Sequence, residues 1–116
     1  MTNVHSQYAR VFDEDCANWT KDRKFNIMFL MRQQTYCNDL LKRRGYLFLR
    51  DVYEMIGIPI TKESCIVGWI FEEPNEIGDN FVQFIYNKTD ESACILIDFN
   101  VDGNIIDRLL RLKSLG

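Results

Sequence analysis

Residues 20–44 constrain the fold more than any other stretch. They read as one long helix, with Thr20 at its N-cap, Asp22 in its first turn, Lys42-Arg43-Arg44 in its last and Gly45 just past its end. The basic triplet opposes the negative end of the helix dipole, which is reason enough for it. Phe25, Met28, Phe29, Tyr36 and Leu40 fall at helical spacings on one face. Ile27, Leu30, Met31, Cys37 and Leu41 widen that face, so the first half is apolar nearly all round. A helix of this kind needs neighbours on more than one side. Core packing supplies them in one reading, and a partner's groove in the other.

After the Gly45 break, Tyr46 to Ile56 reads as a second, shorter helix with Leu49, Val52, Tyr53 and Ile56 on one face, stopped by Gly57 and Pro59. Thr61 to Ser64 can cap one further turn. From Cys65 the character changes to strand-length runs at Ile66–Phe71, Phe81–Tyr86 and Ala93–Phe99. The separators, 72–80 and 87–92, are rich in Asn, Asp, Glu and Gly, as exposed loops are. Loops this short favour an antiparallel meander. Asn104 can then cap a terminal helix containing Ile106, Leu109 and Leu110, with a fourth strand as the alternative. The expected fold class is α+β: two N-terminal helices on a small antiparallel sheet of three to four strands, closed by a short C-terminal helix or strand. Residues 1–18 show no clear period and read as an N-terminal arm, with a single α+β domain over 19–116.

Composition excludes several classes. With 116 residues, 47% hydrophobic and 13% aromatic, the chain fills one core and is not a disordered segment. The longest apolar run, Phe25 to Met31, is broken by Asn26 and falls far short of the roughly 20 residues of a membrane span. Met1 to Arg10 carries neither a basic nor an apolar leader region, so a soluble intracellular protein is expected. The net charge of −3 is uneven: residues 1–58 sum to +2 and residues 59–116 to −5. An acidic half argues against nucleic acid, whose phosphates need clustered Lys and Arg. Cys16, Cys37, Cys65 and Cys94 lack Cys-x-x-Cys spacing and His5 is the sole histidine, which favours free thiols over a zinc site or a disulfide framework.

Two constellations invite chemistry. Asp98-Phe-Asn100-Val-Asp102-Gly103-Asn104-Ile105 reproduces the first eight positions of a calcium loop, with oxygen ligands at alternate residues and a glycine at the sharp turn. Its twelfth position is Leu109 where a bidentate Glu belongs, so Asp98, Asn100 and Asp102 would form at best a weak metal site. Glu72, Glu73, Glu76 and Asp79 crowd one loop with Pro74 and Gly78. They read as a solvated surface, or as an acidic recognition surface that mimics nucleic acid for a basic partner. Nucleophilic catalysis finds no Gly-x-Ser-x-Gly elbow, and no glycine-rich phosphate loop occurs. Trp69, Phe71, Phe81, Phe84 and Tyr86 have strand spacing and belong mainly to the core.

Several segments carry a resemblance. Tyr36-Cys-Asn-Asp-Leu-Leu, Arg44-Gly-Tyr-Leu-Phe-Leu-Arg-Asp-Val-Tyr-Glu-Met-Ile-Gly-Ile-Pro59, Val67-Gly-Trp69, Ile77-Gly-Asp-Asn-Phe-Val82 and Ile97-Asp-Phe-Asn-Val-Asp-Gly103 together resemble an uncharacterised domain family of bacteriophages and prophages, chiefly of Gram-positive bacteria. The likeness covers roughly residues 20–107. It implies a mobile-element setting and carries over no catalytic residue and no cofactor.

The expectation is therefore a non-enzymatic phage or prophage protein that binds a phage or host protein, or a second copy of itself, in the host cytoplasm or the virion. The apolar helix, through Phe25 and Phe29, and the loop carboxylates Glu72, Glu73, Glu76 and Asp79 are the expected contact residues. Inhibition of a host defence enzyme by the acidic loop is the alternative, and a calcium-stabilised module at 98–104 a third. No membrane or nucleic-acid partner is expected.

Overall fold

The computed structural model describes residues 5–87 and 94–115, with side chains through Arg111. The described chain runs β1 (Arg10–Phe12), α1 (Arg23–Arg44), β2 (Tyr46–Phe48), α2 (Leu49–Ile56), a 3-10 turn (Glu63–Cys65), β3 (Val67–Ile70), β4 (Phe84–Ile85), β5 (Ile95–Phe99), β6 (Gly103–Asn104) and α3 (Ile106–Leu115). The class is α+β, as the sequence predicts. The sheet is not a single meander, however. The strands form two antiparallel three-stranded sheets, β1-β5-β4 and β2-β3-β6, so β3 and β4 lie apart although they are consecutive. Two early strands, β1 and β2, explain the split. Phe12 pairs with Ile95 and Leu47 with Trp69, and each sheet is completed by an N-terminal strand that hydrophobic periodicity does not reveal at this length.

Two expected boundaries shift accordingly. Tyr46–Phe48, predicted as the opening of the second helix, is strand β2, because its backbone pairs with Gly68–Ile70 and this tertiary pairing overrides local propensity. Within the predicted arm, Arg10–Phe12 is an edge strand with Phe12 fully buried. The first four residues of that arm, and 88–93 within the second separator and at Ala93, lie outside the described residues.

Helix α1 begins two residues later than predicted. Asp22, not Thr20, is the N-cap and accepts from the Lys24 N–H. Thr20 is occupied elsewhere: its N–H and hydroxyl donate to Asn26 Oδ1, and Asn26 Nδ2 returns a bond to the Thr20 carbonyl, each at 2.9 Å. That exchange satisfies a fully buried amide side chain. At the other end, Gly45 sits at φ 84°, a left-handed conformation that costs glycine little, and donates to Leu41 O. Helix α2 buries Leu49, Val52, Tyr53 and Ile56, the predicted face. Around the 3-10 turn, Thr61 and Ser64 exchange backbone N–H to hydroxyl bonds of 3.1 and 3.0 Å, which is the cap predicted there.

The core joins both sheets to α1 and α2. Leu30, Cys37 and Leu41 of α1 meet Phe12, Ile95, Ile97 and Phe99 of one sheet and Leu47 and Trp69 of the other in one cluster. Phe99 is edge-on to both Tyr53 and Phe84, with ring centroids 5.7 and 5.4 Å apart. Tyr53 spends its hydroxyl on the Tyr8 carbonyl at 2.7 Å, and burial pushes its pKa up to about 12. Cys37, 3.6 Å from the Met55 sulfur, is likewise pushed up to about 12 by burial, with the Asp51 charge adding to the shift, so it packs as an inert thiol. All four cysteines are thiols outside any disulfide, as expected.

Candidate interaction site

The buried stripe of α1 is Asn26, Leu30, Cys37 and Leu41. Of the series led by Phe25, Phe25 itself is 61% exposed and Met28 and Tyr36 are about half exposed, as is Met31 beside them, whereas Leu40 packs against the core. Phe29 departs from that series. It stacks on Phe12 with ring centroids 5.8 Å apart and packs against the core, so of the two expected contact phenylalanines only Phe25 is presented outward. Lys24, Arg32, Asp39, Lys42 and Arg43 are exposed on the same helix. Arg44 belongs to a different group: it lies 3.9 Å from Asp51 and over the Tyr46 ring. The exposed side of α1 therefore carries Phe25, Met28, Met31 and Tyr36 with Arg32 set among them, and Lys24, Lys42 and Arg43 towards its two ends.

This helix is joined to the first sheet by side-chain amides. Asn38 accepts from the Val82 N–H at 2.7 Å and donates to the Val82 carbonyl at 3.0 Å, and Gln34 accepts from the Phe84 N–H at 2.8 Å. Four helical residues rise about 6 Å and two strand residues about 6.6 Å, so residues 34 and 38 keep step with 84 and 82. The amides cover an edge strand that would otherwise offer free backbone groups. Beyond them a groove of about 320 Å³ opens between α1 and β4, lined by Met31, Gln34, Thr35 and residues 83–86.

The acidic loop links β3 in one sheet to β4 in the other. It is held from inside rather than left to solvent. Asn80, at φ 64°, accepts from the Glu72 N–H at 3.1 Å and donates to the Glu72 carbonyl at 2.8 Å. Asn75 accepts from the Ile77 and Gly78 N–H groups and donates to the Ile70 carbonyl and to Asn80. The Glu73–Pro74 bond is cis. Gly78 lies so close to Asp102 that a Cβ there would fall inside the carboxylate. Of the four loop carboxylates, Glu72 is partly buried and paired with Arg108 of α3, while Glu73, Glu76 and Asp79 are exposed. Ile77 and Phe81 are exposed beside them.

The segment with calcium-loop spacing crosses back from β5 to β6 and forms the seam between the sheets. Asp98 accepts from both the N–H and the hydroxyl of Ser6. Burial alone would raise its pKa, yet the bonds from Ser6 and from the Phe99 N–H hold it below the usual carboxylate value. Asn100 Oδ1 accepts from the Trp69 indole at 3.0 Å and the Gln83 N–H at 2.6 Å, and its Nδ2 donates to Phe81 O. Asp102 Oδ2 accepts from the Ile70 N–H at 2.9 Å. The three side chains thus serve three separate backbone neighbourhoods, and among the described residues no three His, Cys, Asp or Glu side chains gather as a metal site. Asp102 has a further peculiarity: its Oδ1 is buried without a hydrogen-bond partner. Burial raises its pKa to about 6, and the charges of Asp79 and Glu72 add to this against the Ile70 hydrogen bond.

Sequence reasoning missed the clamping role of Asn38, Asn75 and Asn80, because an asparagine reads as a turn former whichever backbone it pairs with. It also missed the exposure of Lys24, Arg32, Lys42 and Arg43 beside the apolar stripe. Projecting residues 23–44 about the Leu30–Cys37 axis would have shown it. Among the described residues no helix is long and apolar enough to cross a membrane.

No curated protein and no solved structure matches the chain. One family does, over residues 1–109, and by that match the chain belongs to DUF6353, a family of unknown function.

Proposed function

We propose that the protein acts by binding another protein, without catalysis, through the exposed face of α1 and the adjoining groove at β4. The observation that carries this is the outward display of Phe25, Met28, Met31 and Tyr36 on a helix whose opposite face is already committed to the core. Exposed apolar groups gathered on one regular element mark interaction surfaces. In the mobile-element setting that the sequence resemblance implies, the fitting role is a virion-associated or assembly component of a phage or prophage, working in the host cytoplasm or the virion. A photo-cross-linking amino acid at position 28, introduced into the full chain in phage-producing cells, tests the reading. A discrete adduct that is absent when the probe sits at Glu54, on α2, supports it; equal labelling at both positions sinks it.

A second reading has its own support in the held shape of the acidic loop. Glu73, Glu76 and Asp79 project from a backbone fixed by Asn75 and Asn80, the rigid display that mimicry of a phosphate backbone for a basic host enzyme would need. Reversing Glu73 and Glu76 to Lys should abolish protection of a phage against host defence. Unchanged protection would remove this reading and leave the first in place.

A further inference from the structure

We propose that the exposed face of α1 and the 72–81 loop are the two halves of one self-complementary interface, so that the partner at this surface is a second copy of the chain. The inference rests on the binding reading above and names its partner. Three observations carry it.

The first is charge. The helix face offers Lys24, Arg32, Lys42 and Arg43 against a single Asp39, and the loop offers Glu73, Glu76 and Asp79. Among the described residues none of these groups forms an ion pair within the chain; the ion pairs present use Arg44, Arg50, Asp51, Glu72 and Arg108 instead. Both surfaces therefore reach solvent with their charges unmatched and of opposite sign.

The second is apolar content. Each charged surface carries exposed hydrophobic side chains, Phe25, Met28, Met31 and Tyr36 on the helix and Ile77 and Phe81 on the loop. An apolar interior with a charged rim is the ordinary anatomy of a specific interface. From Lys24 to Arg43 the helix runs about 29 Å, long enough for an interface of standard size.

The third is adjacency. The loop ends at Val82, which Asn38 of α1 holds by two hydrogen bonds. Two complementary surfaces that meet on one molecule can be satisfied together by a two-fold axis, which lays each loop on the other copy's helix and each helix under the other copy's loop. A uniformly charged partner fits less well. An anionic membrane or a nucleic acid drawn to the helix would be repelled by the carboxylates beside it, and a basic partner drawn to the loop would meet the helix cations.

The test is sedimentation velocity of the full chain across concentration and salt, with a charge swap. Wild type should show a monomer–dimer equilibrium that weakens as salt rises. Lys24→Glu with Arg32→Glu, and separately Glu73→Lys with Glu76→Lys, should each weaken dimerisation roughly tenfold or more. All four positions are exposed, and unchanged circular dichroism and melting would show that both variants fold. Mixing the two variants should restore a 1:1 dimer, since each then presents what the other lacks. A wild type that stays monomeric at millimolar concentration overturns the proposal, as does a dimer indifferent to either reversal or a mixture that fails to recover. Monomer in solution that floats with phosphatidylserine vesicles would assign the face to lipid and also overturn it. A monomer that still yields a position-28 adduct with a different protein would end this proposal while preserving the binding reading.

Discussion

The exposed face of α1 and the 72–81 loop are both surfaces of the same molecule, yet they are built in opposite ways. The helix holds its outward side chains by its own backbone hydrogen bonds and by the Leu30–Cys37–Leu41 stripe behind them, so no outward side chain is needed for the shape. The loop has no regular backbone ladder. Its shape depends on the amides of Asn75 and Asn80, on the Glu72–Arg108 pair and on Asp102 packed against Gly78. A surface on a helix can change its contacts freely; a surface on a clamped loop changes its contacts only by risking its fold.

That contrast can be broken by substitution, and the largest effect belongs to the loop. Gly78→Ala must push Asp102 off its position, and overpacking of this kind should cost about 3 kcal/mol, read as a fall in Tm of roughly 10 °C. A variant that melts with wild type would show that the loop adapts as readily as the helix. Next, Asn38→Ala leaves the Val82 N–H and carbonyl without their partner and should cost about 2 kcal/mol by urea denaturation. A loss under about 0.5 kcal/mol would mean that water replaces the clamp without penalty.

Asp102 gives a smaller effect of the opposite sign. Its folded pKa of about 6 lies above the ordinary 3.8, so the folded state holds the proton more tightly over that window. Its contribution to stability is then full below about pH 4 and is lost as pH rises through 6. Asp102→Asn keeps an acceptor for the Ile70 N–H and removes the buried charge. It should stabilise the protein at pH 7.5 by about 1 kcal/mol, discounted for the carboxyl's partial exposure, and should flatten the dependence of Tm on pH between 4 and 6. An unaltered pH profile would show that Asp102 does not carry the charge cost. Smallest of all, Phe25→Ser on the helix face should change stability by less than about 0.5 kcal/mol, because the ring makes little of its contact within the molecule. A larger loss would place Phe25 in the core and remove it from the binding surface.

What could be read from sequence divides along the same line. The α+β class, the body of α1 with its Gly45 cap, the buried face of α2 and the Thr61–Ser64 cap all follow from local signals, namely periodicity, capping residues and glycine stops. Strands β1 and β2 do not, because three residues carry too little pattern and are fixed only by partners 20 or more residues away. The two-sheet arrangement is lost with them. Which face of α1 is buried was equally hidden, since a helix apolar nearly all round leaves the choice to tertiary packing. The loop's acidity was legible and its rigidity was not. Nothing in Asn75 or Asn80 announces the backbone atoms they will meet. The spacing of Asp98, Asn100 and Asp102 was legible too, but not the N–H groups that their oxygens meet. Alternating oxygen donors suit a cation, but they equally suit N–H groups at a seam where the chain passes from one sheet to the other.

The most direct test of the two surfaces as one interface is a dilution series followed by two-dimensional amide NMR. From millimolar to micromolar protein, the amides of residues 24–43 and 72–81 should move together, with one shared dissociation constant, while those around Ile60 and Ile66 on the rest of the surface stay still. Stationary spectra, or shifts confined to only one of the two surfaces, would contradict the account.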